Sequence, residues 1–92
     1  MRRVVASVRF QKHVEGLSAD DQQKVLKAID VFRTAVHEGV LSKGLGLKKI
    51  ARDKYEIRVD LKIRIGIMKD NETFVLDLLG NHEDIRNFLK NY

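Results

Sequence analysis

Two arginines, a glutamate and a histidine are the residues of this chain best suited to chemistry on a phosphate. Arg58 and Arg64 flank the short run Val59 to Ile63. Each guanidinium offers a planar fork of donors that matches phosphate oxygens better than a lysine does. Glu56, close before Arg58, is placed either to take up a proton or to neutralise that arginine. His82 follows Gly80-Asn81 near the C-terminus, and an imidazole titrates close enough to neutrality to carry protons in both directions. The competing reading of His82 is an exposed loop histidine with no task.

Other chemistries are excluded by what the chain lacks. There is no cysteine, so disulfides, thiol nucleophiles and thiolate-held metals drop out. The three histidines, His13, His37 and His82, are too scattered to form a zinc cluster by spacing, and His13 and His37 read as surface residues. No glycine-rich phosphate loop, nucleophile elbow or metal motif is present, so neither a metal nor a cofactor is expected. Eighteen Lys and Arg against thirteen Asp and Glu leave a net charge of +5, a field that favours nucleic acid or an acidic protein. Lys43, Lys48, Lys49, Arg52 and Lys54 cluster just before Tyr55 and the arginine segment. They either track a nucleic-acid backbone or decorate a solvated loop and edge strand, where lysine discourages aggregation.

The elements that must position these residues are readable from periodicity. Val4 to Phe10 alternates as a strand, with Val4, Ala6 and Val8 on one face. Gln11 to Leu17 reads as a short helix or turn. Ser18 then serves as an N-cap, with Asp20 and Asp21 in the first turn where the helix dipole favours acids. Val25, Leu26, Ala28, Ile29, Phe32 and Val36 recur at helical spacing up to Gly39, a natural stop. Gly39, Gly44 and Gly46 mark a loop, and beyond it the period becomes two. Short strands are expected at 45–50, 55–60, 62–67 and 73–79, with a tight turn at Asp70-Asn71. Glu83 to Leu89 closes the chain as a short amphipathic helix.

The order β-α-α-β-β-β-β-α, without repeat or linker, describes one α+β domain over residues 1–92. The expectation is an antiparallel sheet of four to five strands with helices packed on one face: an N-terminal helical pair, then a short C-terminal helix. Ile57, Val59, Ile63, Ile65, Ile67, Phe74, Leu76 and Leu78 are the expected sheet contribution to the core. The basic start of MRRVVASVRF leads into an apolar run broken by Ser7 and Arg9, so no signal peptide or membrane span follows, and a cytoplasmic location is expected.

If those apolar residues face inward, Glu56, Arg58, Asp60, Lys62 and Arg64 share the other face. Pairing Val59 with Ile63 sets Arg58 opposite Arg64. Like charges placed so cost stability, a cost that makes sense if an anion sits between them. Two alternatives remain open. A two-residue turn at Asp70-Asn71 pairs Arg64 with Asp77 in a cross-strand ion pair, and a longer loop after Val59 sets Asp60 beside Arg64.

The strand, the helical pair, Leu47-Lys-Lys-Ile, Tyr55-Glu-Ile-Arg-Val, Lys62-Ile-Arg-Ile and Gly80-Asn-His-Glu-Asp-Ile-Arg-Asn-Phe together resemble the RelE/ParE superfamily of toxin–antitoxin systems. The resemblance runs from Val4 to Lys90, and the order and spacing of the motifs carry it more than any single one. In the RelE branch the toxin enters the ribosomal A site and cleaves the message. The ribose 2′-OH attacks the adjacent phosphate, and no metal is required. Arg64 then matches a phosphate-stabilising arginine, Arg58 a basic position on the preceding strand, and His82 a position held by arginine or histidine. Phe88 lies near an aromatic that is often tyrosine; it can stack on a base but cannot move a proton, and Tyr92 is a conceivable substitute. Glu56 departs from the lysine of some relatives. Lys48, Lys49, Arg52 and Lys54 would bind the RNA backbone. The resemblance thus implies a metal-independent mRNA interferase whose partners are a cognate antitoxin, the ribosome and mRNA. Its alternatives are a ParE-like inhibitor of DNA gyrase and an inactive RelE-like binding protein.

Overall fold

The computed structural model describes residues 2–39 and 47–90. The expected strand start at Leu45, the loop glycines Gly44 and Gly46, Lys43 and Tyr92 lie outside the described residues. Eight elements follow in order: β1 (Arg3–Ala6), α1 (Val8–Glu15), α2 (Ala19–Glu38), β2 (Leu47–Ala51), β3 (Lys54–Arg58), β4 (Arg64–Asp70), β5 (Thr73–Gly80) and α3 (His82–Lys90). Their order is the one expected from periodicity.

The first strand is shorter than its alternation suggests. Ser7 ends it by capping α1, its Oγ accepting the Phe10 N–H at 3.2 Å and donating to the Asp77 carbonyl at 3.2 Å. Phe10 thereby becomes a helical residue aimed into the core, 2% exposed. Helix α2 behaves as read: Ser18 Oγ accepts the Asp21 N–H, and Gly39 closes the helix in the left-handed region at φ 76°.

The five strands lie in the order β1-β5-β4-β3-β2. β2, β3, β4 and β5 run antiparallel to their neighbours, but β1 pairs in parallel with β5, so the sheet is mixed where an antiparallel one was expected. The helical pair carries the chain from β1 to the far edge. The meander then walks back until β5 fills the place beside β1, running the same way.

One face of the sheet and the helical pair enclose the core. Phe10, Val25, Phe32 and Val36 meet Ile57, Ile65, Ile67, Phe74, Leu76 and Leu79, with the Phe32 and Phe74 rings edge-to-face at 5.5 Å. Val59 and Ile63 pack half-buried against this cluster. Leu79 takes the core place expected of Leu78. The reason is a β-bulge: Leu76 opposes Ile67 and Leu78 opposes Gly66, leaving Asp77 as the extra residue and inverting the alternation beyond it. The β4–β5 turn is also shifted by one, with Asp70 opposite Thr73 and Asn71-Glu72 at its tip. Asn71 accepts the left-handed conformation there at φ 55°.

Helix α3 departs from the expectation that all helices share one face. A Cβ on Gly66 would lie 3.1 Å from the Phe88 ring and 3.3 Å from Ile85, whereas its neighbours Ile65 and Ile67 point into the α1–α2 core. Successive strand residues face opposite ways, so α3 covers the second face. Ile85 and Phe88 are buried there. Among the described residues no helix is long and apolar enough to cross a membrane.

Candidate functional site

The second face is also where the candidate residues gather. Arg58 and Arg64 are Cα partners across β3 and β4, the juxtaposition expected from pairing Val59 with Ile63. The Val59 N–H donates to the Ile63 carbonyl at 2.9 Å and closes the hairpin at that end. Glu56 lies opposite Gly66 and therefore diagonally from Arg64. The two long side chains reach one another along that diagonal, and Glu56 Oε2 meets Arg64 Nη1 at 3.1 Å. Both are largely withdrawn from water, their side chains 9% and 16% exposed.

Arg58 differs from its partner. It is exposed and makes no ion pair or side-chain hydrogen bond among the described residues. The site thus holds one free surface cation beside one partly buried cation tied to a carboxylate. Arg64 Nε is the one buried side-chain nitrogen or oxygen without a hydrogen-bond partner among the described residues.

Neither alternative partner for Arg64 is realised. The shifted turn and the bulge together set Gly80, not Asp77, opposite Arg64, and Asp77 binds Arg9 instead: Arg9 Nη2 meets Asp77 Oδ2 at 2.9 Å, and Arg9 Nε donates to Oδ1 at 3.3 Å. Asp60 turns back on its own loop, its Oδ1 accepting the N–H groups of Lys62 and Ile63 at 2.8 and 2.7 Å. Its Oδ2 faces Lys24 at 3.4 Å. The Ile63 and Lys62 backbone donors, helped by Lys24, hold the Asp60 carboxyl below the usual carboxylate range. The arginine hairpin is therefore braced against α2. Nothing in the pattern of strand residues signalled Arg9 or Lys24, because both contacts join elements far apart in sequence.

Gly80 is the Cα partner of Arg64, and His82 follows closely as the first residue of α3. Asn81 caps this helix: its Oδ1 accepts the Asp84 N–H, and Asp84 Oδ2 accepts the Asn81 N–H, both at 2.9 Å. That reciprocal cap aims the chain from the end of β5 onto the face bearing the arginines. His82 is exposed, at the same end of the sheet as Arg64, and has no partner among the described residues.

The expected RNA-binding residues divide. Lys48 opposes Glu56 on the α3 face, and Lys49 opposes Tyr55 on the other; both are exposed. Arg52 lies in the β2–β3 turn, also exposed. Lys54 and Phe88 pack with one another rather than offering themselves to a strand of RNA. Lys54 is 5% exposed, its Nζ donating to the Phe88 carbonyl at 3.5 Å and lying 5.5 Å from the centre of the Phe88 ring. Phe88, 4% exposed, fills the space over Gly66. Their position in sequence beside exposed basic residues concealed this, since burial follows from where α3 docks.

Two guanidiniums, a carboxylate and a nearby imidazole can bind a phosphate group, stabilise charge developing on it and move a proton. Among the described residues there is no group of three or more His, Cys, Asp or Glu able to hold a metal ion. Neither a family model, nor a curated protein, nor a solved structure matches this chain, so the chemistry assigned to the site rests on its own residues.

Proposed function

We propose that the protein is the toxin of a type II toxin–antitoxin system, a ribosome-dependent endoribonuclease that cuts messenger RNA. The observation that carries this reading is the Arg58–Arg64 pair, Cα partners across β3 and β4, with His82 two residues beyond Gly80, the partner of Arg64 on β5. Glu56 offsets the charge of Arg64, which leaves the exposed Arg58 beside it as the cation open to an anion.

The cleavage is an internal transfer. The ribose 2′-oxygen bonds to phosphorus, the P–O5′ bond breaks, and the products are a 2′,3′-cyclic phosphate and a 5′-OH. The 2′-OH proton leaves to a base, and the departing O5′ takes one from an acid. His82 is the residue assigned to proton transfer, while Arg58 and Arg64 hold the phosphate and stabilise the charge of the pentavalent state. Lys48 and Arg52 supply sequence-independent contact to the RNA backbone. The net charge of +5 suits an acidic antitoxin segment as partner and draws it in most strongly at low salt.

The test is translation of a defined message in a purified system, with cut sites mapped by primer extension. Cuts that need ribosomes and disappear in Arg58→Ala support the reading. An intact message at undiminished translation overturns it, and inhibition of gyrase supercoiling instead would assign a different target.

A further inference from the structure

Glu56 meets Arg64 at Nη1 while Nε has no hydrogen-bond partner, and that asymmetry assigns the remaining edge of the guanidinium. Nη1 is the nitrogen on the Cδ side, and it is the one held by Glu56 Oε2 at 3.1 Å. The opposite edge presents Nε–H, alongside one N–H of Nη2, in the side-on geometry that receives two oxygens of a phosphate or carboxylate. Nε is buried and unpartnered. A buried donor left without an acceptor is a rare and costly arrangement, and here it belongs to a cation facing a second, exposed cation across the hairpin.

We infer that Glu56 is a positioning residue: by holding Nη1 it turns the Nε edge of Arg64 toward the non-bridging oxygens of a phosphate group, with Arg58 closing over it from outside. This deepens the reading proposed above and removes Glu56 from the candidates for proton transfer, because its carboxylate is committed to Arg64. The oxyanion has to part the side chains that shield Nε from solvent. The Nε proton is therefore the direct reporter of an acceptor reaching that atom, since a new hydrogen bond moves it downfield.

A role in positioning and a role as a mere counter-charge predict opposite signs. If Glu56 only lowers the local positive charge, removing it strengthens anion binding. If it orients Arg64, removing it weakens binding, and an uncharged acceptor of the same shape preserves it.

The experiment is a titration of full-length protein with inorganic phosphate and with a 2′-deoxy dinucleotide, a diester that cannot be cleaved. The guanidinium Nε–H resonances are followed by NMR, and Arg64→Lys identifies the Arg64 signal. The expected result is a saturable downfield shift of the Arg64 Nε–H. In Glu56→Ala, apparent binding weakens about tenfold, the loss of one charge-assisted hydrogen bond, and in Glu56→Gln it is largely restored. Should Glu56→Ala not fold, the wild-type and Glu56→Gln titrations still decide. An unmoved Arg64 Nε–H at saturating ligand, in wild type or in Glu56→Gln, or tighter binding in Glu56→Ala, overturns the inference. Because no cleavage is measured, an active nuclease with a silent Nε–H sinks this assignment alone. A responsive Nε–H without nuclease activity sinks only the proposed function.

Discussion

Glu56 and Arg64, diagonal neighbours across β3 and β4, meet at 3.1 Å. The diagonal pair makes the two arginines of the hairpin unequal. Arg64 is tied into the protein, whereas Arg58 is exposed.

Substitution at the two arginines therefore separates function from folding. Arg58→Ala should abolish cleavage and leave stability within about 0.5 kcal/mol of wild type, as for most exposed sites. Arg64→Ala should also abolish cleavage but lower stability by about 3 kcal/mol, since it strands a buried carboxylate. Urea unfolding monitored by circular dichroism checks both. Removing Glu56 and Arg64 together should cost less than the two single changes summed, and an additive result would deny the pair its coupling.

The seat of α3 depends on two glycines. A Cβ at Gly80 would come within 2.6 Å of Asp84 Cβ, and one at Gly66 would crowd the Phe88 ring at 3.1 Å. Gly80→Ala should displace the Asp84 carboxylate from its bond to the Asn81 N–H. The expected loss is about 2 kcal/mol, from overpacking and the damaged cap together. Gly66→Ala should cost a similar amount by pushing Phe88 outward. Hydrogen exchange localises the effect: the α3 amides should lose protection before those of the α1–α2 core.

The brace under the hairpin is pH-dependent. Asp60 is held below the ordinary carboxylate range by the Ile63 and Lys62 N–H groups and by Lys24. A depressed folded value means that its contribution is present above the unfolded value of about 4 and disappears as pH falls through the folded one. Thermal melts of wild type and Asp60→Ala should differ clearly at pH 7, and the difference should shrink only as pH falls below about 4, closing once it has passed through the lowered folded value. A constant difference across that range would show that the charge on Asp60 is not what braces the loop.

Ser7 has two tasks at the β1–α1 junction, capping α1 and tying the bulge of β5 through the Asp77 carbonyl. Ser7→Ala should cost about 1–2 kcal/mol. Ser7→Thr, which keeps the hydroxyl, should cost less. Equal losses would mean that the hydroxyl contributes nothing.

Local physics was legible along the chain. The Ser18 cap, the helical spacing from Val25 to Val36, the Gly39 stop and the period-two runs of β3 and β4 each express a preference that a few neighbouring residues set by themselves. The pairing of Arg58 with Arg64 was within reach for the same reason, because a short hairpin leaves few registers. What escaped was set by contacts distant in sequence. Whether Asp77 would meet Arg64 or Arg9 depended on the shifted β4–β5 turn and the bulge in β5 together. Lys54 and Phe88 read as surface groups until α3 crossed the second face and buried them together.

The sequence by itself determined the order of elements, the apolar stripes of α2, β3 and β4 and the charge near the hairpin, because periodicity and capping act over one or two turns of chain. Tertiary structure alone decided which carboxylate each arginine meets, that β1 joins the sheet in parallel, and that α3 shares a face with the arginines. Those outcomes depend on how strands stack and where Gly66 and Gly80 leave room, and packing of that kind leaves no local trace.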